Sequence, residues 1–227
     1  MKEKYKHIIQ KHGSLFAFLH NLVQKNRKHI RGRDNILSCK GVFISHTSIN
    51  VTGNNNHIQV QRGLTLLDNC KFYVEGNNNS IQIDSGCKLK DVTFFIQDSN
   101  GSITIGKDTI ITGQTHLAVI EGTSISIGRD CLFSQNITLR TGDSHSILDV
   151  TGKRINPSKN IIIGNHVWVG NSVIILKGSR INDNSIIATG CILTGNDYPA
   201  NSVIGGIGGK VLKSDINWCE ERIPIQD

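Results

Sequence analysis

Hydrophobic residues recur in this chain on two different periods. Over residues 4–29, Tyr5, Ile8, Ile9, Leu15, Phe16, Leu19, Leu22 and Val23 fall three and four apart, which predicts a helix with one apolar face and basic residues around it. That face is expected to dock on the main body or on a neighbouring subunit, with a weak contact to a membrane surface as the alternative. From residue 51 the period changes. VTGNNNHIQV (51–60) returns as VEGNNNSIQI (74–83), then more loosely as IQDSNGSITI (96–105) and VIEGTSISI (119–127). The leading Ile of each pair stands at 58, 81, 103 and 125, in steps of 23, 22 and 22. Such a period marks stacked copies of one supersecondary unit. Gly and Asn in the GNNN corners fit, because both tolerate left-handed backbone angles.

Beyond residue 160 the period contracts to six: Ile163, Val169, Ile175, Ile181, Ile187 and Leu193 are predicted to point inward, and Val167, Val173, Ser179, Ser185 and Cys191 follow four later. Three hexads make one triangular coil of 18 residues, and the longer steps upstream are the same coil with four or five extra residues at a corner. From Ile125 to Ile161 the step is 36, two coils' worth. One turn of sequence is therefore spent on RTGDSHSILDVTGKRINPSKN (140–160), the one long polar excursion. Stacking at strand spacing predicts seven or eight coils in a prism about 35 Å long. The two end coils need covers. The expected division is a helical cap at 1–33, a β-helix at 34–213 with loop 140–160 protruding, and a tail at 214–227 folded over a flank or the far end. Periodicity does not fix the handedness of the coil.

With aromatics at 5%, the core must be aliphatic and narrow. The six cysteines stand singly without metal or framework spacing and read as reduced, mostly buried small hydrophobes. The N-terminus lacks the pattern of a signal peptide, so a cytoplasmic location is expected. The formal charge of +7 lies partly in the first 33 residues and partly far along the chain, with no interleaved aromatics for base stacking. Phosphorylated cofactors or acidic sugars are better matches to it than nucleic acid.

The block IIIGNHVWVGNSVIILKGSRINDNSIIATGCILTGNDYPANSVIGGIGGKVLK (161–213), together with TGDSHSILDVTGKRIN (141–156), resembles the hexapeptide-repeat acetyltransferases, specifically the capsule and sialic acid polysaccharide O-acetyltransferase branch. The resemblance covers residues 105–213 well and the upstream coils by repeat type. It implies an all-β fold, a left-handed parallel β-helix of hexapeptide repeats with an N-terminal α-helix and a long catalytic loop. It also implies a homotrimer, with acetyl-CoA as co-substrate in the groove between prisms, and O-acetylation of a bacterial surface carbohydrate such as sialic acid.

Acetyl transfer to a hydroxyl needs a base for its proton, donors for the developing oxyanion, and close positioning of both substrates. The resemblance assigns the base to His145, whose residue type titrates near neutrality, and places Trp168 in the transfer site. Asp143 and Asp149 flank the histidine, and either carboxylate or a main-chain carbonyl could orient it. Ser144 adjoins both an acid and the histidine, although direct transfer is favoured over an acyl-serine. Gln114 aligns by coil register with Asn136, and with His116 they form the acceptor set, joined by Asp143 and Ser144 as substrate-binding residues. For the cofactor, the resemblance points to Gly170, Asn171, Thr189, Gly190 and Thr194, with Lys210 and Lys213 for phosphate; Arg154 and Lys159 could reach the same phosphates. Two departures bear on nucleotide binding: Gly195 replaces a common lysine, and the closing motif reads Gly206-Ile207-Gly208-Gly209-Lys210, without its proline.

Three rivals share the repeat. An N-acetyltransferase of an amino sugar would use the same base. A metal hydratase would need His116, His145 and His166 to converge on zinc, which their hexad positions do not favour, and no metal is expected. A purely structural β-helix would leave the histidine loop and basic pairs idle.

Overall fold

The computed structural model describes residues 3–225 and the side chains of residues 13–225, so Tyr5, Ile8 and Ile9 of the expected apolar face lie outside the described side chains. After helix α1 (Glu3–Val23), the chain winds into three parallel sheets. Successive strands go to face A, face B and face C in turn, so each sheet contains every third strand, until the final strand joins face C beside its predecessor, antiparallel to it. Faces A and B have eight strands each, and face C has nine. The result is a left-handed parallel β-helix of about eight turns.

The register follows the hydrophobic periods. On face B, Ile58, Ile81, Ile103, Ile125 and Ile161 are successive rungs. Ile125 and Ile161 are therefore neighbours although they stand 36 positions apart, and the surplus leaves at a single corner. In the last coils Ile163 pairs with Ile181, Val169 with Ile187 and Ile175 with Leu193, and all six are buried. The residues four later, from Val167 to Cys191, are buried too and close the corners. Within the core, Phe72 and Phe94 stack at 4.5 Å between centroids, filling the wider upstream coils.

Those wider coils owe their extra residues to the corner between faces A and B. Buried Asn56 donates its amide to Gly76 O (2.9 Å) and accepts from Asn79 N–H (3.0 Å); Asn79 in turn donates to Asp98 O (2.9 Å) and accepts from Gly101 N–H (2.8 Å). Each amide satisfies backbone groups of the next coil, which the bend would otherwise leave unpaired. Gly53 adopts φ 128°, and a Cβ there would lie 1.8 Å from Gly76 O. The GNNN corner thus requires its glycine for close approach.

At the N-terminal end, α1 runs along strand Phe43–Ser45. Asn21 donates to Val42 O (2.9 Å) and accepts from Ile44 N–H (2.8 Å), while Asn26 donates to Ile44 O (2.8 Å) and accepts from Thr47 N–H (3.0 Å). Two amides therefore occupy groups of the edge strand that no further coil pairs. At the other end, the Tyr198 hydroxyl donates to Gly208 O (3.1 Å), and strand Lys210–Lys213 turns back antiparallel on Val203–Gly205. The tail then follows the corner between faces B and C, where Asn201 and Ile216 exchange two hydrogen bonds.

Candidate active site

Loop 140–160 leaves face A at Arg140 and returns to face B at Ile161. It is an ordered hairpin: Leu148 and Arg154 form an antiparallel bridge, and Ile155 N–H donates to Ile147 O at 2.9 Å. Asn156, buried at its base, holds the loop together. Its Nδ2 donates to the His145 carbonyl (2.8 Å) and to Asp143 Oδ2 (2.9 Å), and its Oδ1 accepts from Ile147 N–H (2.8 Å). Lys177, on the following coil, pairs with Asp143 and donates to Asn156 O (3.3 Å). Arg154 pairs with Glu121 at 2.5 Å, tying the far limb to the preceding coil. At Gly142 the two limbs approach so closely that a Cβ would meet Ser158 Oγ at 2.2 Å.

These contacts commit both flanking carboxylates. The hydrogen bond from Lys177, then that from Asn156, holds the Asp143 carboxyl below its usual range. Asp149 accepts from Thr151 Oγ1, Thr151 N–H and Lys153 N–H within its own turn. His145 is consequently positioned through its backbone, with its carbonyl on Asn156 and its N–H on Asp143 O at 2.8 Å. The imidazole is exposed and, among the described residues, accepts and donates no side-chain hydrogen bond.

Face A displays the residues expected to meet the acceptor. Gln114, His116 and Asn136 border a hollow of 430 Å³ that also contains Lys71 and Asp91. Thr115 pairs with Ile137, so Gln114 and Asn136 are neighbours at the corner between faces C and A. His116 also lines a second hollow of 200 Å³ with Phe95, Ala118, Arg140 and Ser144. There Arg140 donates to Ser144 Oγ (2.9 Å), leaving Ser144 beside a cation. Burial, then the Arg140 charge, pushes the His116 pKa down.

Trp168 lies elsewhere, on face C between Leu132 and Ile186. Gly170, Asn171, Thr189 and Gly190 occupy the adjoining corner between faces C and A, Thr194 ends a strand of face A, and Lys210 and Lys213 stand exposed on the last strand of face C. Gly190 (φ 72°) has nothing within 4 Å of a Cβ position, so its backbone is open to a ligand chain. Asn171, Thr189, Lys210 and Lys213 are exposed as well, a donor set suited to an extended amide-bearing arm and a phosphorylated end. Arg154 is committed to Glu121, whereas Lys159 sits exposed at the corner between faces A and B. One protomer thus divides the set: the histidine loop springs from the corner opposite face C, and the packed core lies between. His116, His145 and His166 belong to face A, its corner with B, and the corner between B and C; among the described residues no group of three His, Cys, Asp or Glu converges as a metal site.

Sequence reasoning missed Asn156, Lys177 and Trp218. The Trp218 indole lies flat on His166, with centroids 4.2 Å apart at 5°, donates its N–H to His166 O (2.8 Å), and reaches 6.0 Å from Trp168. The scarcity of tryptophan, two in 227 residues, was the available signal.

No family model matches the chain. It is 33% identical over 118 residues to the polysialic acid O-acetyltransferase of Escherichia coli O1:K1 / APEC, covering 52% of this chain and 38% of that one. It is 37% identical over 114 residues to the galactoside O-acetyltransferase of Escherichia coli K12, covering 49% and 54%. The chain therefore spans about a third to a half of the length of these relatives. Its fold matches the solved structure of the polysialic acid O-acetyltransferase OatWY with a TM-score of 0.75 and 28% identity, over 88% of this chain and 93% of that one. In sequence over about half of its length and in fold over most of it, the chain is similar to the hexapeptide-repeat acetyltransferases, polysialic acid O-acetyltransferases among them.

Proposed function

We propose that the chain is an acetyl-CoA-dependent O-acetyltransferase of a bacterial surface carbohydrate, a capsule or lipopolysaccharide sugar, with sialic acid as the leading acceptor. The observation that carries this reading is the exposed His145 imidazole on a loop fixed by Asn156, Lys177 and Glu121, next to Ser144, which lines a hollow of face A. Bound acetyl-CoA supplies an acetyl group activated as a thioester. His145 takes the proton from the acceptor hydroxyl as that oxygen bonds to the acetyl carbonyl carbon, and returns it to the departing CoA sulfur as the thioester C–S bond breaks. Gln114, His116, Asn136, Asp143 and Ser144 orient the sugar, and the Trp168 indole N–H donates toward the oxygen on which negative charge develops. Asn171, Thr189, Gly190 and Thr194 hold the pantetheine arm, and Lys210, Lys213 and Lys159 hold phosphate.

The reading requires more than one copy of the chain, because His145 and Trp168 lie on opposite sides of one prism. A homotrimer that sets the loop of one protomer against face C of the next completes the site. The apolar loop residues Ile147, Leu148, Val150 and Ile155, all exposed, support such a contact. The remaining partner of this reading is a membrane surface, met weakly through α1, and the compartment is the cytoplasm.

Incubation with acetyl-CoA and a panel of sialyl, neutral and amino sugars, read by mass spectrometry, tests the proposal. Acetyl ester on a sugar hydroxyl is expected. Exclusive amide product would instead assign an N-acetyltransferase. His145→Ala is expected to lower turnover roughly 10²- to 10⁴-fold with CoA affinity nearly unchanged; full activity in that variant overturns the base assignment.

A further inference from the structure

Helix α1 meets the β-helix with its small and polar side. Ala17 is fully buried, His20 Nε2 lies 2.9 Å from Ser45 Oγ, and Asn21 holds the edge strand. The large apolar residues of the same stretch face solvent: Leu15, Phe16, Phe18, Leu19, Leu22 and Val23 are 46–77% exposed. At about 100° per residue, positions 17, 20, 21 and 24 share one side and 15, 16, 19, 22 and 23 the other. A helix that served only to cap the core would turn that apolar side inward. Six large hydrophobics displayed within nine residues mark a surface that is covered by something else.

Charge identifies the cover. Residues 1–33 hold nine Lys and Arg against one Glu, whereas the rest of the chain holds 16 against 17. Basic residues far along the chain are thus balanced by acids there, and the net positive charge resides in residues 1–33. Lys25, Arg27, Lys28, Arg31 and Arg33 are all exposed and follow it directly in the first coil. A second copy seated on the same face would bring like charges together, while anionic headgroups would neutralise them. Among the described residues no helix is long and apolar enough to cross a bilayer, so the fitting geometry is a helix lying in the interface.

We propose that α1 and the first coil dock the protein on an anionic phospholipid bilayer, with Phe16, Leu19, Leu22 and Val23 inserted among the headgroups and the basic residues beside them. The histidine loop leaves the sixth coil, so it would stand about 25 Å from the docked end. The inference sharpens the membrane partner of the proposed function and does not depend on acyl transfer.

Co-sedimentation of the full chain with phosphatidylcholine vesicles, with and without phosphatidylglycerol, tests it at low and high salt. Binding to the anionic vesicles is expected, weakened by salt and reduced tenfold or more both by Leu19→Glu with Leu22→Glu and by Lys25→Gln, Arg27→Gln and Lys28→Gln together. Circular dichroism should show both variants folded. Absence of a preference for anionic vesicles in the wild type overturns the proposal. So does a Leu19→Glu, Leu22→Glu variant that keeps vesicle binding but changes sedimentation coefficient, because the face would then belong to a second copy. CoA binding, measured on the same preparations, separates the two readings: vesicle binding without CoA binding upholds this inference and overturns the enzymatic one.

Discussion

Asn156 donates its side-chain amide to the main-chain carbonyl of His145 at 2.8 Å across eleven positions of sequence. The candidate base is therefore aimed by a buried amide acting on its backbone. Neither flanking carboxylate reaches its ring.

Asn156→Ala removes hydrogen bonds to Asp143, His145 and Ile147 at once and leaves buried partners unsatisfied. A loss of about 1–3 kcal/mol in stability is expected. Under the proposed function, kcat should fall more than tenfold while the KM for acetyl-CoA changes little. Chemical denaturation and steady-state kinetics check both parts; an unchanged kcat would remove Asn156 from the positioning of His145.

Trp218→Ala should release the tail from His166 and uncover one side of Trp168. The lost stacking and indole hydrogen bond together are worth about 1–3 kcal/mol. Trp168 is then the sole tryptophan, so its emission reports the change directly, and a shift to longer wavelength is expected. Emission typical of a shielded indole would show that Trp218 does not cover it.

The thiols should divide sharply. Burial pushes Cys70 and Cys87 up to about 12, and Cys39 and Cys131 to about 11; burial raises Cys191 as well. Raised values leave these groups protonated, and so unreactive, throughout the neutral and mildly alkaline range. Cys219 alone is exposed. A thiol reagent at pH 8 should label one cysteine rapidly in the native protein and six after denaturation. Rapid labelling of Cys70 or Cys87 would contradict the packed corners.

Much of the fold was legible in order of residues because a β-helix repeats one local solution. An inward Ile, Val or Leu every sixth residue, a small residue four later and Asn or Gly at the bends reappear as Ile163, Val169 and Ile175 in the core and Asn56 and Asn79 at the corner. Period sets the coil, and an interrupted period located the loop at 140–160. Outward-facing residues carry no such period. That Asn156 reaches back to His145, that Lys177 captures Asp143, and that Trp218 returns across 52 positions to His166 depend on which coil lies beside which in space. Only the folded chain could decide that α1 turns its small residues inward and its large ones outward: helical spacing yields an apolar face but not the direction in which the neighbouring strand makes that face point. The same holds for the separation of His145 from Trp168. A period of 18 sets residues on faces, but the closed triangular section, with its core filled, is what keeps opposite sides apart.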